Sequence, residues 1–417
     1  HSFGTFELAD HYNKVASDAR FLGLAGGTMT GDTAHGDNVK AKFGASDDLQ
    51  IYHNGSSNMI EGVADTYLVI KHDKLLVTDL GNKDQIRTVK DGAVTLYYNS
   101  GNKLATTSTG IDVTGSVVSD GMSTNTAGTS NFVAGVNAGN SLASGSSNNT
   151  FVGDEAGIET TTSAYNTGVG KFSLEKNTTG ATNTALGGSS LRNNTTGDNN
   201  VAVGYRTLID NTTADNNTAV GHYALTANTT GANNVAVGKD AMQANTTASN
   251  NTAVGNASLS ANTTGGANAA TGYYALNSNT TGTNNTANGY LALRYNTTAS
   301  NNTAIGRSAL TANTTGASNS ALGQNALAAN TTGTGNTASG KDALDANTTG
   351  DYNVGLGYLA LSSNTTADDN TAVGTSALTA NTTGANNTAV GRKALLANTT
   401  GTSNTAVGWS ALQDNTT

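Results

Sequence analysis

The 417-residue chain contains no proline and no cysteine. Without cysteine no disulfide can staple it, so its stability has to come from backbone ladders, packing and assembly. Aromatic residues make up 5% of the chain and charged residues 12%, while Asn, Thr, Ala and Gly dominate. The formal charge of −9 is mild for this length and no Lys/Arg run occurs, which excludes the usual electrostatic handle on nucleic acid. No apolar stretch approaches the roughly 18 residues needed to span a bilayer. The chain opens on His1 without a signal-peptide pattern and stops at Thr417 partway through a repeat, as expected of a piece of a longer polypeptide.

What is present is a period. Glycine recurs every seventeen residues from Gly153 through Gly170, Gly187, Gly204, Gly221 and Gly238 to Gly408. Around each stands a phrase close to N-T-A-V-G-x-x-A-L-x-A-N-T-T-G-x-N. A fixed period of this length marks stacked coils, a quasi-one-dimensional architecture rather than a pocket-bearing globule. Asn occupies the fourth position before every glycine, as at Asn217 and Asn234, and Leu the fourth after nearly all, as at Leu225 and Leu310. A helix is excluded because β-branched residues, Asn and Gly interrupt every window long enough to hold one. The alternation in T-A-V-G sets Thr218 and Val220 on one face and Ala219 on the other. In A-L-x-A, Leu225 shares a face with Ala227, so each coil reads as two very short strands joined by Asn/Thr/Gly turns. At about 4.8 Å per rung the sixteen glycines would span roughly 75 Å.

Each coil supplies one Leu, one Val and a few Ala, a thin core for a lone stack. The Ala columns, such as Ala253, offer a smooth face for close approach between chains. Both features predict several chains packed around a common axis on the Ala-rich face, and three, the natural number for a fibre, makes the expected particle a homotrimer. Fifteen N-T-T triplets are formal glycosylation acceptors, but a turn at every coil demands such residues, and stacked amide ladders are the adopted reading. Three coils carry Thr271, Asn288 or Ser339 just before the glycine, either at a polar site near a symmetry axis or at a merely half-buried position. Variation concentrates in the two residues after each glycine, which are expected to face solvent. Tyr205, Arg206, His222, Tyr223, Tyr273, Tyr274, Arg307, Arg392 and Trp409 stand there as candidate surface-contact residues. They form either a ribbon for a host glycan or protein, or an unconstrained solubilising surface.

Four regions follow. Residues 1–23 form a short helical attachment segment, with Leu8, Tyr12 and Val15 near helical spacing; 24–118 form a β-rich domain. Residues 119–148 are a transition that includes an irregular coil around Asn131–Gly139, and 149–417 are the repeat. In the β-rich domain, Lys42–Gly55, Thr66–Asp79 and Gly92–Gly115 read as alternating strands with Asn/Gly and Asp/Gly turns.

The phrases L-A-G-G-T-M-T-G-D (Leu24–Asp32), S-D-D-L-Q-I-Y-H-N-G (Ser46–Gly55) and A-T-T-S-T-G-I-D-V-T-G (Ala105–Gly115) resemble segments of marine bacteriophage tail-fibre and related virion proteins. The later N-N-V-A-V-G (Asn199–Gly204 and Asn233–Gly238) is similar to the head repeat of trimeric autotransporter adhesins, a family of trimeric, left-handed parallel β-rolls with a shorter repeat. That family's membrane-anchor barrel and coiled-coil stalk, and the self-cleaving chaperone domain of many phage fibres, have no counterpart in this sequence.

Catalytic chemistry is not expected. His222 stands alone among the repeats, and the other histidines show no H-x-H or H-E-x-x-H spacing for metal. Asp47–Asp48 and Asp368–Asp369 read as solvated loop pairs, and no calcium-roll or phosphate-loop pattern occurs. The expectation is an all-β protein, a parallel β-solenoid or β-roll of 17-residue coils, without catalytic activity, cofactor or metal. Its role would be a structural fibre of a virion, a rod joined to other tail proteins at its N-terminal end and projecting a host-attachment end. A bacterial surface adhesin is the alternative, and an ice- or surface-binding solenoid a remote one.

Overall fold

The computed structural model describes residues 34–43, 49–62, 70, 74–81, 83–90, 92–108, 110–114 and 128–416. The expected helix in residues 1–23 lies outside them. The chain divides into two compact units, residues 1–119 and 120–417. All regular structure among the described residues is β.

The first unit carries two antiparallel sheets. One joins β1 (Ala41–Phe43), β2 (Leu49–His53) and β3 (Asn58–Gly62). The other is a meander of β4 (Leu76–Thr78), β5 (Asp84–Thr88), β6 (Val94–Tyr98), β7 (Gly101–Thr107) and β8 (Gly110–Val113). Between β6 and β7 the chain reverses through Asn99 and Ser100, both left-handed at φ 51° and 63°, as a two-residue hairpin loop matched to strand twist requires.

The second unit is a parallel β-solenoid. Seventeen strands of three residues each, β9 (Phe132–Ala134) to β25 (Thr405–Val407), stack as one ladder. Each strand pairs only with those one coil before and one coil after, so Thr218, Ala219 and Val220 lie beside Val235, Ala236 and Val237. Among the described residues β9 and β25 do not pair with each other, so the ladder runs on without closing into a barrel. The coil around Asn131–Gly139 is a full rung of this stack: Phe132–Ala134 pairs with Thr150–Val152, and the extra residue is absorbed between Gly135 and Gly153.

Each strand ends at its glycine for two reasons. Gly255, for example, has φ +133°, a conformation L side chains rarely adopt. A Cβ placed there would also lie 2.5 Å from the carbonyl oxygen of Gly272 in the next coil. The backbones of successive coils touch at this column.

The second strand expected in A-L-x-A does not form. Tyr223 and Leu225 are left-handed, at φ 57° and 54°, and the same pair of positions repeats this in coil after coil. The sign change in φ cancels strand alternation, so neighbouring Ala224 and Leu225 are both fully buried while Ala227 is only half-buried. The turn nevertheless ladders from coil to coil: the Leu225 amide donates to the carbonyl of Ala241 at 2.9 Å, and that of Ala227 to Gln243 at 3.1 Å. Satisfied backbone groups are what allow so irregular a segment to be buried.

From Leu174 to Leu395 the interior holds one Leu per coil with the Ala columns around it, except that Met242 substitutes in one; in the coil before them Phe151 fills the interior where Gly157 takes the Leu position. Ala219, Ala253 and Ala224 are at 0% exposure within this single chain. This corrects the expected Ala-rich contact face, because those columns fill the narrow coil itself.

Candidate binding surfaces

Two asparagine columns form an internal spine. The amide group of Asn228 donates to Oδ1 of Asn211 one coil back at 2.9 Å and to the carbonyl of Gly231 at 2.9 Å. The same Gly231 carbonyl accepts from Nδ2 of Asn217 at 2.9 Å, while the backbone N–H of Asn217 donates to Oδ1 of Asn200 at 3.0 Å. Up to Asn387 and Asn398 both columns are fully buried, so those N-T-T asparagines point into the coil and leave no room for a glycan there. Of the threonines in the triplet, Thr229 donates its hydroxyl to the carbonyl of Thr246 at 3.1 Å, and Thr230 is exposed.

The strands put Ala inward, so the flanking residues form the outer sheet face. Val254, Ile305, Leu322 and Val390 are exposed there, a large apolar side chain on most rungs. Thr271 and Asn288 are exposed and Ser339 half-buried, so polar residues are tolerated because this column faces outward. Beside the smaller Ser339 the face dips into a shallow hollow of about 260 Å³, walled by Ile305 and Leu322 together with Thr303, Ser320 and Thr337.

The first unit carries a comparable feature. Its five-stranded sheet aligns Val77, Ile86, Leu96, Leu104 and Val113 in one row through successive cross-strand pairs. Val77, Ile86, Leu96 and Val113 are each about 40% exposed (43, 38, 40 and 38%), and the buried apolar core contains no residue before Leu142. Alternating apolar residues ordinarily turn toward a core; here that row is left open among the described residues.

The residues after each glycine split in two. In most coils the first is exposed, as at Tyr205, His222, Tyr273, Arg307, Arg392 and Trp409, whereas the second, as at Arg206, Tyr223 and Tyr274, is half-buried. The seventeen-residue period superposes these side chains along the stack. Tyr205 stacks on His222 at 5.7 Å between ring centres, Tyr223 meets both rings edge-on, and Arg206 lies 5.5 Å over Tyr223. Four coils farther on, Tyr273 stacks on Tyr290 at 5.5 Å with planes 9° apart and packs against Tyr274 at 4.4 Å. Arg294 lies 5.1 Å over Tyr274 and 4.8 Å over Tyr295. Partial desolvation, with Tyr274 adding to it, raises the Tyr273 phenol above its ordinary range, so it stays a neutral hydroxyl.

Tyr290, Arg294 and Tyr295 were not among the sequence candidates. Tyr290 follows a repeat glycine and was visible in principle; Arg294–Tyr295 replaces the usual x-A before N-T-T, and that departure from the phrase was the signal. Arg307, Arg392 and Trp409 enter neither cluster. Among the described residues no three His, Cys, Asp or Glu side chains group as a metal site, and no helix is long and apolar enough to cross a membrane.

No protein family, curated protein or solved structure matches this chain.

Proposed function

We propose that this chain is the shaft of an extracellular structural fibre, part of a phage or virus-like particle, in which three copies run side by side and carry an attachment end away from the particle. The observation that supports it most is the pairing of a uniform ladder with an outward apolar row on the solenoid, together with a row left open among the described residues of the first unit. A rod has no use for a pocket, and the parallel register repeats one cross-section along its length. Rows such as Val254–Ile305–Leu322 and Val77–Ile86–Leu96 favour self-association, since both units would cover apolar surface in one assembly. The seam thus moves from the Ala columns to the strand face. The N-terminal end would join other virion proteins.

The test is the mass of the purified chain by light scattering, with the doubly substituted Ile305→Glu, Leu322→Glu chain beside it. The expected particle is three times the 41.8 kDa chain. The charged pair should dissociate it, since unpaired buried carboxylates are costly. A stable monodisperse monomer with full β-sheet circular dichroism would defeat the assembly.

A bacterial surface adhesin is the second reading, favoured by the place of N-N-V-A-V-G: in Asn199–Gly204, Val201–Val203 is the strand and Gly204 its terminator. Neighbouring genes separate the two, with tail and baseplate genes expected beside a fibre and an outer-membrane barrel in frame with an adhesin. On the outward face no rung pairs Thr with a second Thr, and Thr stands opposite Val, Leu or Ile instead wherever a large apolar side chain accompanies it, which disfavours the remote ice-binding role.

A further inference from the structure

From the two aromatic clusters we infer that the outer edge of the solenoid binds an acidic polysaccharide. Pyranose rings would lie against the tyrosine faces, and a ring carboxylate would be held by Arg206 or Arg294. The inference deepens the attachment reading by naming a ligand class, but it needs only the coil geometry.

Two arginines of this edge are set apart by their surroundings. Elsewhere on the same edge Lys171 pairs with Asp154 at 2.8 Å and Arg192 is bonded to Glu175, while Arg307 and Arg392 are simply exposed to water. Arg206 and Arg294 have no acidic partner among the described residues. The Nε–H of each is buried with no acceptor. Both side chains are half-buried against tyrosine faces, so each carries a partly desolvated charge held only by ring quadrupoles. An arriving carboxylate would supply a charge-assisted partner to the remaining guanidinium N–H groups. In a chain of net charge −9, cations that are half-buried against rings with no acid to answer them also select where an anion settles.

The rings supply the second half. Tyr273 and Tyr290 lie nearly parallel on adjacent coils and are 47% and 50% exposed, with Tyr274 beneath. Tyr205 and His222 repeat that arrangement at the other cluster, tilted by 26°. Flat, rigid aromatic surfaces with polar tips suit the apolar faces of a sugar ring and its hydroxyls. The two clusters sit four coils apart on one ladder, about 19 Å at the usual strand spacing. A linear polymer can therefore engage both, with the gain that linked sites give.

Affinity electrophoresis of the purified full chain through gels containing polygalacturonate, dextran or polyglutamate tests this. Polygalacturonate offers ring and carboxylate, dextran the ring alone, polyglutamate the carboxylate alone. The expected result is retardation by polygalacturonate at least about fivefold stronger than by either control. Tyr273→Ala with Tyr290→Ala should weaken it about tenfold, and Arg294→Gln should bring that cluster to the dextran level while Arg294→Lys restores part of the loss. Light scattering and circular dichroism run on the same variants should match the unsubstituted chain, because these side chains are exposed or half-buried. Equal retardation by polyglutamate, equal retardation by dextran, or an undiminished tyrosine double variant overturns the inference. A chain that is monomeric yet retarded defeats the fibre assembly alone; a trimer that is not retarded defeats the saccharide site alone.

Discussion

At the residue scale the repeat glycine meets two separate demands, and the molecule offers a way to tell them apart. Gly255 has both the φ of +133° and a neighbouring backbone where a Cβ would sit. Gly408, the last of the column, has φ +131° but its added Cβ would find nothing closer than Ala411 at 3.8 Å. Gly255→Ala is therefore expected to cost several kcal/mol, roughly 3 or more, whereas Gly408→Ala should cost about 1–2 from backbone strain alone. Denaturant titration of the two variants checks this, and equal losses would mean the coil-to-coil contact is not limiting. The same φ logic explains the position two after each glycine. It is variable in chemistry but left-handed throughout, and it carries Asp240, Asn325 and Asp342 but no β-branched residue.

At the scale of the element, the coil is held by its asparagine spine as much as by its leucines. Asn228 donates two hydrogen bonds from a fully buried amide. Asn228→Asp removes both donors and puts a carboxylate beside the Asn211 and Gly231 oxygens. A loss of about 3 kcal/mol or more is expected in chemical denaturation, against about 0.5 kcal/mol or less for replacing the exposed neighbour Thr230 by Ser. If the two variants unfold alike, the ladder adds nothing beyond turn formation. This spine was legible in the sequence, because an invariant Asn column at a fixed period has few uses other than stacking. The strand T-A-V and the inward Leu225 were legible for the same reason. The A-L-x-A leg was not. Its two left-handed residues are imposed by closing a narrow coil, and alternation rules hold only while φ keeps one sign. Nor did sequence show which way the Ala columns face, since small residues suit a narrow interior and a close seam equally well. Of the candidate contact residues, stacking between neighbouring coils follows from the period once one coil's exposed position is known. Arg294–Tyr295 was marked only by its departure from the phrase, and its contact with Tyr274 was not legible because it reaches that ring from the far side of the turn rather than from the variable pair.

At the scale of the whole solenoid, every coil touches only the coils before and after it, so the stack has no long-range closure to disturb. Removing residues 239–255 deletes one seventeen-residue coil and rejoins Gly238 to Asn256 with every column in register. That chain is expected to keep its β-sheet circular dichroism and a Tm within about 5 °C of the parent. Removing only residues 239–246 leaves half a coil, which strands Gly255 out of its column and should broaden or lower the transition by more than that. Matching melting curves for the two deletions would argue against strict coil-by-coil stacking.

The uniform ladder has a hereditary consequence. Near-identical repeats invite misaligned exchange within the gene, and each such event adds or removes whole coils without spoiling the fold. Lineages carrying this chain should thus differ in reach by integral rungs of about 4.8 Å, so that length is adjusted by recombination while the cross-section is left untouched.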